Sequence, residues 1–138
     1  IIALENVHHG AGAGAIGTLP TAVTGSELLG RLKTLTGLPC IRYCGDTTRL
    51  ITRVAVCGGS GSAHIPAAAR AGADAFITGD IRYHSFTEAP ENMLVADAGH
   101  YESEIFSLEI LHNLIQKKFP NFALRFSGIK TNPINYFQ

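Results

Sequence analysis

A chain of 138 residues with 46% hydrophobic content is long enough to bury one core and too short for several domains. Eleven Lys and Arg balance eleven Asp and Glu, which argues against nucleic acid as the main partner, because neutralising phosphates needs a basic surface. Charged residues make up only 16%, below the roughly 25% of an average soluble domain, so part of the apolar surface is expected to be covered in a homo-oligomer.

The chain opens at Ile1 in a strand-like run, IIALENV, and is expected to be a piece of a longer protein. No apolar run approaches the ~18 residues of a membrane span and no basic-then-apolar leader is seen, so no membrane partner and a cytoplasmic location are expected. Glu5 to Leu19 is dominated by glycine and alanine and reads as a loop or irregular strand. Thr24 to Glu27 fits a capping box, and Leu28, Leu29, Leu32 and Leu35 then follow helical spacing, predicting a helix over 26–36. Ile41–Cys44 and Ile51–Cys57 read as strands, with Gly45-Asp46 supplying turn chemistry between them.

Strands and helices then alternate: a helix over 63–71, a strand over 74–78, a short helix over 84–89, a strand over 93–96, a long helix over 101–119 and a strand over 122–126. That alternation predicts an α/β fold with a mostly parallel sheet and helices on its faces. In the long helix, Ile105, Leu108, Leu111, Leu114 or Ile115, and Phe119 are expected to bury one stripe.

In a parallel sheet, ligands bind where strand carboxyl ends deliver their loops. In DAGHYESE, His100 and Glu104 stand one helical turn apart, so both side chains leave the same face. An imidazole and a carboxylate so placed make half of a zinc, iron or manganese site. The alternative is an ordinary first turn with Glu104 answering the helix dipole. Asp97, just upstream, is expected to orient His100 from behind, through its other ring nitrogen. In GDIRYH, Asp80 and His84 are candidates for acid/base or substrate-contact roles, or else a cap and a surface histidine.

The turn GGSGS offers Gly58, Gly59 and Ser60 as an anion cradle, though glycines there also serve purely steric ends. Cys40, Cys44 and Cys57 are too few and too irregular for a disulfide framework, and Cys40-x3-Cys44 lacks a second pair for a zinc site. His8, His9, His64 and His112 receive no role.

Taken in order, GAGAIGTLP, VAVCGGSGS, GADAFITGDIRYH, ADAGHYESE and the closing NPINYF resemble the C-terminal half of the GTP cyclohydrolase type 2 homolog family, also called NGG-one-interacting-factor-three-like. The resemblance runs from about Gly12 to Phe137, and its specificity lies in CGGSG, TGDxxYH and DAGHxxxE at these separations. It implies a two-lobed α/β protein closing around two divalent metal ions and assembled into a ring-like oligomer. His100 and Glu104 match the family's C-terminal metal ligands, Asp80 and His84 match a motif beside the cleft, and Asp97 fits as a partner behind the ligands.

The family's other ligands, paired histidines and an aspartate, belong to an N-terminal half that these residues do not contain, and His8-His9 does not stand in for the pair. Residues 1–9 are thus expected to be a linker or the remnant of an inserted domain, and 10–138 the C-terminal α/β lobe. With two ligands only, this chain alone is expected to bind metal weakly or not at all. Its own N-terminal half, a second copy of the chain, and a nucleotide or phosphorylated small molecule are the expected partners. The function implied is a dinuclear metal-dependent hydrolase; the alternative is a non-catalytic, metal-dependent scaffold.

Overall fold

The computed structural model describes residues 1–9 and 11–137, apart from the side chain of Asn6. Among the described residues six strands form one sheet: β1 (Ile2–His8), β2 (Ala11–Thr24), β3 (Arg42–Cys44), β4 (Leu50–Ser60), β5 (Ala75–Gly79) and β6 (Leu94–Asp97), ordered β1-β2-β4-β5-β6-β3. The α/β class is as expected, but the sheet is mixed rather than mostly parallel. Only β4–β5 and β5–β6 run parallel, whereas β1–β2, β2–β4 and β3–β6 are antiparallel.

Two segments account for the difference. The glycine-rich stretch is a 14-residue strand, β2, whose missing side chains let β1 and β4 lie close on either side; a Cβ at Gly12 would stand 3.1 Å from that of Ala3. Residues 2–8, expected to be a linker or remnant, form the strand at that edge. Gly45-Asp46 does not close a hairpin. Asp46 Oδ1 accepts from the Thr48 N–H and hydroxyl, an Asx turn that sends the chain away, so β3 pairs with β6.

Helix α1 (Gly25–Thr36) starts at a complete capping box, Thr24 with Glu27, and ends at Gly37 in the left-handed region. It lays Leu28 and Leu32 on one sheet face, against Val23, Ile51, Ala75, Leu94 and Ala96. On the other face α2 (Ile65–Arg70), entered through a 3-10 turn over Ser62–His64, packs Ile65 and Ala68 on Ala55, Phe76 and Val95. Helix α3 (Tyr83–Thr87) follows β5. Strands β5 and β6, covered on both faces, are buried almost throughout, as central parallel strands are.

The predicted long helix is two: α4 (His100–Glu104) and α5 (Ser107–Lys118). At the break the α-helical ladder gives way to a tighter bond, Leu108 N–H to Ile105 O at 3.2 Å. No residue of α5 is buried, so the expected stripe faces outward. The strand expected over 122–126 is absent; that stretch is irregular and lies along α5, with Phe126 stacked on His112 at 4.7 Å between ring centroids. Among the described residues no helix is long and apolar enough to cross a membrane.

Candidate functional site

Strands β4, β5 and β6 end side by side, with Ser60 paired to Gly79 and Thr78 to Asp97. Helix α4 begins directly beyond β6 and leans over the ends of the other two. Its approach depends on glycine. A Cβ on Gly79 would stand 2.8 Å from the Gly99 carbonyl and the His100 nitrogen, backbone that cannot yield. Gly59 has φ +65°, and a Cβ there would collide with the Glu104 carboxylate and lie 3.3 Å from His100 Nε2.

His100 and Glu104 share a face of α4, with Nε2 and Oε2 3.3 Å apart. On the other side of the ring, His100 Nδ1–H donates to Asp80 Oδ2 at 2.7 Å. A carboxylate only accepts, so this bond puts the proton on Nδ1 and leaves the lone pair of the neutral ring at Nε2, facing Glu104. Without a metal the arrangement suits a proton: the bond to Asp80 and the Glu104 charge hold His100 above the ordinary histidine pKa, burial offsetting part of this. Asp80 itself has φ +53°, a left-handed conformation that Asp tolerates better than most residues and that turns the chain just past β5.

Asp97, expected behind His100, is occupied elsewhere. Its Oδ1 accepts from Gly99 N–H at 3.1 Å, and its Oδ2 accepts from Ile81 N–H at 3.1 Å and from the Arg42 guanidinium. It therefore braces the loops that carry Asp80 and His100 without touching the imidazole. His84 lies exposed on α3, edge-on to Tyr83, and its ring enters no hydrogen bond or ion pair among the described residues. The anion cradle is partly closed from inside: Gly59 N–H donates to Ser103 Oγ at 2.9 Å, and Gly61 N–H donates to the buried Thr78 hydroxyl at 2.8 Å.

Sequence reasoning passed over Ser103, which accepts from Gly59 and donates to His100 O at 2.9 Å, so that one hydroxyl fastens α4 to the end of β4. Its place one turn beyond His100 was the available signal. It also passed over Arg42 and Tyr136, which with Leu38, Cys40 and Ile134 line a cleft of about 170 Å³ beside Asp80, Asp97 and His100.

The donor pair fits a divalent ion. Two ligands bound at about 2.1 Å stand roughly 3.0–3.4 Å apart around a shared metal, which brackets the separation of Nε2 and Oε2. Nearby, burial first and the Glu104 charge second push the Cys57 thiol above its usual pKa. Among the described residues no third His, Cys, Asp or Glu joins the pair in a metal-sized group.

Comparison with known proteins shows what the whole chain is similar to. The profile of the DUF34/NIF3 (NGG1p interacting factor 3) family matches residues 2–133. A curated Staphylococcus epidermidis protein, "GTP cyclohydrolase 1 type 2 homolog", is 37% identical over 130 residues, 91% of this chain and 35% of its own length. A Listeria innocua protein of the same name is 30% identical over 140 residues, 99% of this chain and 38% of its own. The crystal structure of Staphylococcus aureus protein SA1388 superposes with a TM-score of 0.80 at 27% identity, covering 91% of this chain and 42% of that one. The chain thus spans little more than a third of the curated relatives it matches.

Proposed function

The chain belongs to the DUF34/NIF3 family, and from that membership we propose that it is the metal-holding C-terminal lobe of a dinuclear metal-dependent hydrolase acting on a nucleotide or related small molecule. The observation that carries the reading is the orientation of His100: Asp80 fixes its tautomer, and the free nitrogen faces the Glu104 carboxylate at ligand spacing. These two residues would hold zinc, iron or manganese, which when bound supplies Lewis acidity for hydrolysis. The remaining donors for a pair of ions are assigned to the rest of a longer protein, consistent with the share of its relatives that this chain spans.

This chain's own contribution to substrate is the cleft beside His100. Arg42 is held there by Asp97 and the Ile81 carbonyl, at 3.0 Å from the latter, and offers a fixed guanidinium. Tyr136 stays a neutral hydroxyl donor, because burial and the nearby Glu102 charge push its pKa up. His84, four residues past Asp80 and open to solvent, is proposed to carry protons.

The test is turnover of the longer protein on a panel of nucleotides with Zn²⁺, Mn²⁺ or Fe²⁺. The reading expects hydrolysis that His84→Ala abolishes while metal is retained. The exposed apolar face of α5 favours a second reading, a metal-dependent oligomeric scaffold. No turnover with any nucleotide, together with a stable complex with a second protein, would decide for that one.

A further inference from the structure

The closing motif NPINYF does more than supply Ile134 and Tyr136 to the smaller cleft: residues 131–134 also line a second cleft beside His100, of about 440 Å³. This segment is tied to α4. Asn132 Nδ2 donates to Glu102 Oε1 at 2.8 Å, and Asn132 Oδ1 accepts from Ile134 N–H at 3.1 Å, so one amide fixes both the helix and the wall.

Helix α4 needs such fastening. At five residues it has far fewer than the turns a helix requires to stand alone, and its N-cap, Gly99, brings no side chain to it. Glu102 lies two residues from both His100 and Glu104, on the side of the helix opposite them. It is 9% exposed, and its second oxygen is buried with no partner among the described residues. A half-satisfied buried carboxylate is a poor device for stability, so its value is sought in what it positions. Ser103 holds α4 to β4, and Glu102 holds it to residues 131–136.

We infer that Glu102 and Asn132 are positioning residues for the His100–Glu104 pair, and that residues 131–136 are a built wall of the site. The inference rests on the metal-site reading above for its functional consequence, and on geometry alone for the fastening of α4.

The test is amide hydrogen exchange on the longer protein, metal-free, paired with Mn²⁺ titration against a chromophoric chelator. Asn132→Ala is expected to speed exchange at Ser103 and Ile105, the amides bonded within α4, by about tenfold while β5 and β6 keep their protection. Mn²⁺ affinity is expected to fall about tenfold, the loss typical of residues behind metal ligands. Glu102→Leu should repeat this, and Glu102→Gln, which keeps an acceptor for Asn132, should restore the parent's behaviour.

Unchanged exchange in α4 would overturn the inference. So would equal acceleration in β5 and β6, the mark of a merely structural role. Faster exchange confined to α4, with no Mn²⁺ bound by parent or variants, would leave the fastening standing and sink the metal-site reading instead.

Discussion

Residues 94–98 and residues 107–119 are both rich in apolar side chains, and the structure treats them oppositely. Every residue from Leu94 to Ala98 is buried between helices on two faces, whereas Leu108, Leu111, Leu114 and Phe119 along α5 are each about half exposed. In the first region the strand ends also converge on polar groups that satisfy one another: Thr78 accepts from Gly61 N–H and donates to Gly59 O, and Asp97 takes three donors. In the second, a helix keeps its hydrophobic pattern with little to lay it against. The pattern states that a face wants burial; it does not state which chain buries it.

Substitutions can break this contrast, and the largest effect belongs to the sheet. Phe76, fully buried between β4 and β6, should cost about 3–5 kcal/mol as Phe76→Ala in urea unfolding, the range for a large cavity in a packed core. Thr78→Val keeps the volume but removes two buried hydrogen bonds, leaving Gly61 N–H and Gly59 O only their 3.1 Å bond to each other, and at about 0.5–1.5 kcal/mol per bond is expected to cost about 1–3 kcal/mol by the same measurement. Gly59→Ala forces a side chain into the left-handed region, worth about 1–2 kcal/mol, and also presses on Glu104. A fall in both thermal midpoint and Mn²⁺ affinity of the longer protein would show both effects. At the small end, Leu111→Ala on the open face of α5 should change the stability of the 138-residue chain by less than about 0.5 kcal/mol. A larger loss for Leu111→Ala in the longer protein would show that α5 is covered there.

Much of this was legible in the sequence, and the failures share a cause. The capping box at Thr24, the βα alternation from Cys57 to Asp97 and the His100–Glu104 spacing are local signals, and each lies in the structure where its residues put it. Whatever required knowing which distant segments meet was not legible. The glycines from 12 to 17 left a loop and an irregular strand both open, because a strand that gives up side chains for close neighbours looks locally like one that cannot form. The break between α4 and α5 has neither proline nor glycine to announce it. Asp80 rather than Asp97 bonds His100 because β5 and β6 are adjacent and in register, a fact of pairing and not of spacing along the chain.

The most direct test of the central claim, that His100 and Glu104 are two donors of a site completed by the rest of a longer protein, is metal stoichiometry. Elemental analysis of the 138-residue chain and of the longer protein, purified in parallel, should find two ions per longer subunit and almost none here. His100→Ala should empty the longer protein of at least one ion. A full complement of metal in the short chain, or an unchanged one in the longer protein carrying His100→Ala, would contradict it.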